Sequence, residues 1–355
     1  MSTNTSDIRN VVTIGHRGCG KTTLTEALLY SAGAINRLGS VDDRNTIADF
    51  EPEERERQIS ISPALCNCTH QKTKINIIDT AGFAEFFAES LPCFWVADAA
   101  LMVIDAAAGV EVHTHKVYSS AAEMKLPIVA VINKMRGEHA DYETALQSIN
   151  EMLSGAEAVA VQVPVGEKSG FDGVVDLLSM KMLSGSEKGG AWGDIPAELA
   201  DEVAAARDTL VDGVAATDDA LMEKYFENET LTQDELAGGL ARAVAAGQIV
   251  PVLAVDAAST VGVGALLDFI VSVCPAPDAR GEWNGHLPGK PEDGVVRRCA
   301  ADEPFSAVVF KTMSDPYVGR ISLIRVVSGT AKADDNVMDA QSGNRERLSG
   351  LASLQ

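Results

Sequence analysis

The chain has 355 residues, 46% of them hydrophobic, and a formal net charge of −22. This length allows two or three domains, and the acidic balance argues against general electrostatic attraction to DNA or RNA. The first ten residues are polar and lack the apolar segment of a signal peptide. No run approaches the ~20 apolar residues of a membrane span. Six cysteines without framework spacing predict reduced thiols in the cytoplasm.

The chain up to about residue 155 alternates between apolar runs and helical periodicity, which predicts a parallel sheet covered by helices on both faces. A helix is expected at 22–31, whereas the charged segment 34–58 has no clear period and predicts a mobile loop. Buried strands are expected at 11–14, 59–69, 74–79, 100–105, 128–133 and 249–255.

Residues 155–248 predict an insertion within this α/β domain. Between residues 191 and 250 there are 13 acidic and 3 basic residues, a net charge of −10. Such a patch is usually a solvated helical face, and the alternative is a docking surface for a basic partner. We expect a nucleotide-binding domain at 1–280, a proline- and glycine-rich linker at 281–302, and an incomplete β-barrel at 303–355.

A glycine-rich turn follows the first predicted strand and fits the pattern G-x-x-x-x-G-K-[ST]. Backbone N–H groups of such a loop curl around a β-phosphate, and the helix N-terminus adds its positive end. Lys21 would reach the β- and γ-oxygens, and the Thr22 hydroxyl would ligate Mg²⁺. The alternative is a loop that keeps the pattern without the affinity. The residues of the motif are Gly15, His16, Arg17, Gly18, Cys19, Gly20, Lys21 and Thr22.

A second group, Asp79-Thr80-Ala81-Gly82, ends a predicted strand. An Asp in this place can hold Mg²⁺ through water, and the glycine N–H can contact a γ-phosphate. Ser60, in the segment ERQISI, is the candidate that completes the Mg²⁺ shell, although a serine there can also be a plain strand hydroxyl. The predicted metal ligands are Thr22, Ser60 and Asp79. Loops that a γ-phosphate orders and hydrolysis releases form a two-state switch.

Asn133, Lys134, Met135 and Arg136 follow the strand at 128–133, at the sheet edge where open α/β folds bind ligands. An Asn-Lys-x-Asp sequence at this place usually forms a guanine pocket, whose Asp accepts hydrogen bonds from the base. Arg136 takes the position of that Asp, and an arginine side chain can only donate.

These motifs, in this order, resemble the translational GTPases, most closely elongation factor G and its paralogues. Among the matching blocks are GHRGCGKTTLTEALL, IIDTAGFAEF, LPIVAVINKM and EPFSAVVFKTMSDPYVGRISLIRVVSGTAK. The resemblance implies a Ras-like P-loop GTPase domain with an inserted α+β subdomain, followed by a β-barrel. It also implies GTP/GDP and Mg²⁺ as cofactors, and ribosomal RNA and stalk proteins as partners. The inserted subdomain faces basic stalk components in the family, which favours the docking interpretation.

The chain departs from elongation factor G at several positions. The family has Asp at the position of Gly18, and its base-contacting Ser-Ala pair is Asp256-Ala257 here, so only the Ala257 N–H carries over. Phe83 occupies the position of the catalytic His that positions the attacking water. An apolar ring cannot orient water by hydrogen bonding, so we expect slow hydrolysis. An aromatic residue at this position favours the paralogues over the translocase.

Three interpretations of Arg136 stay open. Asp256 replaces the missing acceptor, or base choice is weakened at a cost of a few kcal/mol in affinity, or the substitution is drift or a sequence error. As a variant of the first, Arg136 and Asp256 pair with each other and close the base pocket.

The sequence therefore predicts a cytoplasmic, monomeric elongation factor that couples GTP hydrolysis to ribosomal translocation or a related step of protein biosynthesis. It predicts an N-terminal fragment, because the family barrel is about twice as long as the residues after Glu303. The alternative is a hydrolysis-deficient, nucleotide-dependent regulatory module that binds the ribosome. No membrane or DNA partner is expected.

Two smaller predictions concern single residues. His113 and His115 lie two apart in a predicted helix and are expected at the surface. Cys19 lies near a helix N-terminus, which tends to lower the pKa of a thiol, so we expect nucleotide to protect it from alkylation. A buried, inert Cys19 is the alternative.

Overall fold

The computed structural model describes residues 4–186, 189–288, 290–315 and 319–352. The chain divides into two compact units, of which the first is Arg9–Pro275 and the second joins Met1–Ile8 to Ala276–Gln355. No helix within the described ranges is long and apolar enough to cross a membrane.

Strands and helices alternate along the first unit. Its strands are β1 (Ile8–Ile14), β2 (Ala64–His70), β3 (Thr73–Asp79), β4 (Ala99–Asp105), β5 (Ile128–Asn133), β6 (Glu157–Ala160), β7 (Gln162–Val165), β8 (Gly173–Asp176), β9 (Lys181–Ser184), β10 (Ala191–Gly193) and β11 (Ile249–Ala254). Its helices are α1 (Lys21–Ser31), α2 (Pro52–Arg57), α3 (Phe87–Val96), α4 (Val112–Glu123), α5 (Tyr142–Met152), α6 (Ala200–Ala215), α7 (Asp219–Asn228), α8 (Gln233–Ala245) and α9 (Val263–Ser272).

A seven-stranded sheet with the order β2-β3-β1-β4-β5-β11-β6 forms the centre of this unit. The pairs from β1 through to β6 are parallel, and β2 and β3 are antiparallel. Every residue of β5 and β11 is buried, as expected for apolar runs in a parallel sheet with both faces covered. The predicted α/β fold is confirmed, and the carboxyl ends of β1, β4, β5 and β11 share one edge.

The insertion begins later than the predicted residue 155, because β6 pairs with β11 in the large sheet. Val161 alone separates β6 from β7. Its N–H donates to the Val252 carbonyl of β11 (3.2 Å), and its carbonyl accepts from the Leu177 N–H (3.0 Å). The chain then enters a smaller antiparallel sheet with the order β10-β9-β8-β7.

The acidic region forms α6, α7 and α8, and its charges lie outside. Leu210 and Val214, one helical turn apart, are buried on one face of α6. On its other faces the carboxylates are exposed, and these include Asp201, Asp208 and Asp212. The carboxylates therefore lie on the solvent-exposed faces of the helix, as both interpretations of the patch require.

Buried carboxylates hold the segment that was expected to be a mobile loop, 34–58. Glu26 of α1 accepts from the backbone N–H groups of Ile47 (2.6 Å) and Ala48 (3.2 Å). Glu54 is fully buried and reciprocates a capping box with Glu51 at the start of α2. The expectation of an irregular loop is wrong for 52–57, because this capping box and a proline at the first turn begin a helix there.

The regular elements described after residue 302 in the second unit are β-strands, as predicted. Within the segment expected as a linker, 281–302, β12 (Glu282–Leu287) and β13 (Lys290–Arg298) form an antiparallel hairpin. The proline- and glycine-rich composition marks the turn of this hairpin around Pro288 rather than an extended connection. The remaining strands pair in the same way and are β14 (Ser306–Asp315) with β15 (Gly319–Ser328), and β16 (Asn336–Met338) with β17 (Arg345–Arg347).

Candidate nucleotide-binding site

The glycine-rich motif lies between β1 and α1, and the Asn133 side chain fixes its position. The Asn133 Nδ2 donates to the Cys19 carbonyl (3.0 Å), and its Oδ1 accepts from the Ala257 N–H (3.0 Å). Gly20 has a φ of 94°, and a Cβ there would come within 2.4 Å of the Asn133 Nδ2. Asn133 thus joins the glycine-rich loop to the loop after β11, and only glycine fits at position 20.

Lys21 is buried at the centre of this loop. Its Nζ donates to the carbonyls of Gly15 (3.2 Å) and His16 (2.9 Å). A Cβ at Gly82 would lie 2.4 Å from the same Nζ, so the segment after β3 packs closely against the lysine. A buried ammonium bonded to neutral carbonyls, beside the N-terminus of α1, fits a phosphate group.

The three predicted metal ligands meet next to Lys21. The Thr22 Oγ1 donates to Asp79 Oδ2 (2.7 Å) and lies 3.0 Å from the Ser60 Oγ. The Ser60 Oγ donates to Asp49 Oδ1 (2.8 Å). Because each hydroxyl gives its single hydrogen to a carboxylate, the two oxygens face each other with lone pairs. Hydroxyl and carboxylate oxygens in this arrangement are the ligand set that Mg²⁺ prefers.

Asp79 is buried, and this burial raises its pKa to about 6, while the bonds from Thr13 and Thr22 act in the opposite direction. The Thr13 Oγ1 donates to Asp79 Oδ1 (2.7 Å). Neither Thr13 nor Asp49 was predicted from the sequence. Thr13 is a polar residue inside an apolar strand, which is a usable signal, whereas nothing in the charged segment distinguishes Asp49.

Phe83 offers no hydrogen-bonding group at the end of the Asp79–Phe83 segment. The Arg17 guanidinium lies 5.3 Å from its ring centroid, and the Phe86 ring packs edge-to-face at 6.5 Å. Thr80 and Ala81 are buried, and the Thr80 Oγ1 donates to the Thr13 carbonyl. The segment is therefore anchored to β1, and an aromatic and guanidinium pair lies at its end.

The loop after β5 carries Lys134, Met135 and Arg136. Lys134 donates to Asp105 Oδ2 (2.8 Å), and Met135 is buried. The Arg136 backbone N–H donates to Asp256 Oδ2 (3.1 Å), but its guanidinium bonds to backbone carbonyls after β7. The alternative in which the Arg136 and Asp256 side chains pair with each other is wrong, because the guanidinium bonds to those carbonyls instead.

The expectation that His113 lies at the surface is wrong, whereas Cys19 follows the alternative of a buried thiol, and its protection by nucleotide stays a prediction. His113 is buried, with its ring 5.7 Å from that of Phe87 and 6.3 Å from that of His16. Burial lowers the pKa of His113. Cys19 is also buried and donates to the His16 carbonyl (2.9 Å). Burial raises the pKa of the Cys19 thiol, so desolvation outweighs the helix N-terminus.

A strand, a glycine-rich loop around a buried lysine, and a hydroxyl–carboxylate cluster define a P-loop nucleotide-binding protein. The model of the elongation factor Tu GTP binding domain matches residues 6–276, and that of elongation factor G domain 2 matches residues 304–353. The chain belongs to the translational GTPase family, in its elongation-factor-G-like branch.

A crystal structure of a protein from Thermus thermophilus is similar to this chain. The two share 28% sequence identity with a TM-score of 0.84, over 97% of this chain and 48% of that one. This chain therefore spans about half the length of that protein.

Proposed function

We propose that this protein acts as a translation factor. It binds GTP and GDP with Mg²⁺ and couples GTP hydrolysis to ribosomal translocation or a related ribosome step. The observation that carries the proposal is the glycine-rich loop that buries the Lys21 ammonium, followed at once by Thr22, whose hydroxyl bonds to Asp79 and lies 3.0 Å from that of Ser60. These groups lie at the sheet edge where parallel α/β folds bind ligands.

The phosphates would contact the backbone N–H groups of Gly15–Thr22 and the Lys21 ammonium. Thr22, Ser60 and Asp79 would hold Mg²⁺, which neutralises charge on the β- and γ-oxygens when it is bound. Asn133 would keep the loop after β11 in register with the glycine-rich loop, since its amide bonds to both. Lys134 and the Ala257 N–H would then line the base site.

Hydrolysis by this site should be slow, because Phe83 cannot accept a proton from water or hold water in line. The Arg17 guanidinium over the Phe83 ring stabilises the aromatic side chain where it is. Contact with the ribosome would then supply the missing orientation of water. A monomer that acts in the cytoplasm, with the acidic face of α6 towards basic stalk proteins, completes the proposal.

The pairing of Phe83 with Arg17 favours a second candidate function. In this candidate the protein binds nucleotide and docks on the ribosome as a regulatory module without hydrolysing GTP. The two candidates share the nucleotide site and differ only in turnover.

Phosphate release from GTP, with and without ribosomes, tests both. We expect calorimetry to show Mg²⁺-dependent GDP binding that Lys21→Ala abolishes. Ribosome-stimulated phosphate release above the Lys21→Ala background supports the first candidate, and Phe83→His should raise it by roughly 10²-fold. Nucleotide binding without release, in the wild type and in Phe83→His, favours the second. Absence of nucleotide binding refutes both.

A further inference from the structure

The Arg136 side chain is directed at a turn of the inserted segment rather than at the base site. Its Nη2 donates to the Ser169 carbonyl (2.9 Å), and its Nη1 donates to the Phe171 carbonyl (3.2 Å). The turn is tight, since a Cβ at Gly166 would lie 2.1 Å from the Gly170 carbonyl oxygen. Phe171 is fully buried and anchors the turn. Both carbonyls are therefore fixed acceptors for the guanidinium.

Asp256, whose carboxylate accepts from the Arg136 backbone N–H, has further partners of its own. Its Oδ2 accepts from the Arg136 N–H (3.1 Å), and its Oδ1 accepts from the Ser259 N–H (3.0 Å) and Oγ (2.7 Å). Asp256 is 6% exposed. Its carboxylate therefore holds the loop after β11 against the loop after β5, and it does not replace the acceptor that position 136 lacks.

A carboxylate at position 136 would favour guanine, because it would accept hydrogen bonds from the N1–H and 2-amino groups of the base. Hypoxanthine has the N1–H but lacks the 2-amino group, so the comparison between these two bases isolates that contact. Discrimination by such a polar contact depends on a buried acceptor that is left unpaired when the wrong base binds. Arg136 provides no acceptor.

We propose that Arg136 has removed selection for the 2-amino group, so that the site binds guanine and hypoxanthine nucleotides with similar affinity. The guanidinium instead fixes the turn at 166–171 against the loop after β5. This inference rests on the proposed function, because it concerns the same nucleotide site.

The test is calorimetric binding of GDP and inosine diphosphate, each with Mg²⁺, to the full chain. We expect the two dissociation constants of the wild type to agree within about threefold, and Arg136→Asp to favour GDP by roughly tenfold or more. Arg136→Ala, which adds no acceptor, should keep the wild-type ratio. Arg207→Asp is the matched control, because Arg207 also donates to backbone carbonyls, those of Leu177 and Leu178.

A wild-type preference for GDP of tenfold or more would overturn the inference. A ratio that stays near one in Arg136→Asp, with its thermal unfolding unchanged, would overturn the assignment to Arg136. Failure of both nucleotides to bind the wild type would instead refute the proposed function, and this inference with it. The GDP affinity and the ratio therefore report the two failures separately.

Discussion

Replacement of Glu26 by alanine tests how the segment ahead of Ser60 is held in place. Glu26 lies fully buried on α1, the helix that begins at the phosphate loop. Its Oε1 accepts from the backbone N–H groups of Ile47 and Ala48 at 2.6 and 3.2 Å. The substitution removes this acceptor and leaves the Ile47 and Ala48 N–H groups without it.

The size of the effect follows from the burial of those donors. A hydrogen bond to a charged group contributes about 1.5–3 kcal/mol, but burial raises the pKa of Glu26, so desolvation offsets part of the gain. Ile47 is 41% exposed, and water can replace its bond, whereas Ala48 is 2% exposed. We expect a loss of about 2 kcal/mol in local stability, which is roughly thirtyfold in the opening equilibrium.

Native-state hydrogen exchange of the Ala48 amide measures this equilibrium. Protection should fall about thirtyfold in Glu26→Ala and remain largely intact in Glu26→Gln, which keeps a carbonyl acceptor. Glu53→Ala is the control, because this exposed carboxylate pairs with Arg57 one turn away on the same helix. Unchanged protection of Ala48 in Glu26→Ala would refute the argument.

Two further predictions concern His113 and Cys19. Because burial lowers the pKa of His113, the unfolded chain binds this proton more readily, and unfolding free energy falls as the pH drops below ~6.5. Urea titrations from neutral pH to about pH 5 should show a smaller fall in unfolding free energy for His113→Gln than for the wild type. His115→Gln changes an exposed residue and should keep the wild-type dependence on pH. The same dependence in all three proteins would contradict this prediction. Iodoacetamide near neutral pH should label the partly exposed Cys299 well before the buried Cys19, and comparable rates by peptide mass spectrometry would show that Cys19 is accessible.

The parts of the fold that local chemistry determines could be predicted from the sequence. β5 has the predicted bounds, because an apolar run of five buried residues ends at the polar pair Asn133-Lys134. The phosphate loop was predictable since its glycines and Lys21 serve a backbone geometry fixed by spacing. In contrast, α2 begins with a capping box inside a charged run, where no apolar period marks a helix.

Long-range contacts explain what the sequence did not reveal. The acceptor of the Arg136 Nη2 lies 33 residues further along the chain, so no local pattern indicates where that side chain points. Burial of His113 likewise depends on Phe87 of another helix. Ser60 was predicted from its place in the segment ERQISI. Its bond to Asp49, 11 residues earlier, depends on the folded path of the chain and has no local sequence signal.

Val161 has a mechanical consequence for the whole first unit. It is the single residue between β6 and β7. Its N–H is bonded to β11 of the large sheet, and its carbonyl is bonded to Leu177, which follows β8 of the small sheet. Because both backbone groups are bonded, this connection is too short and too constrained to act as a hinge. A partner that pulls on the acidic helices would therefore load β11 directly. Since β11 runs into the loop whose Ala257 N–H is bonded to Asn133, that load would arrive as strain at the Asn133 amide.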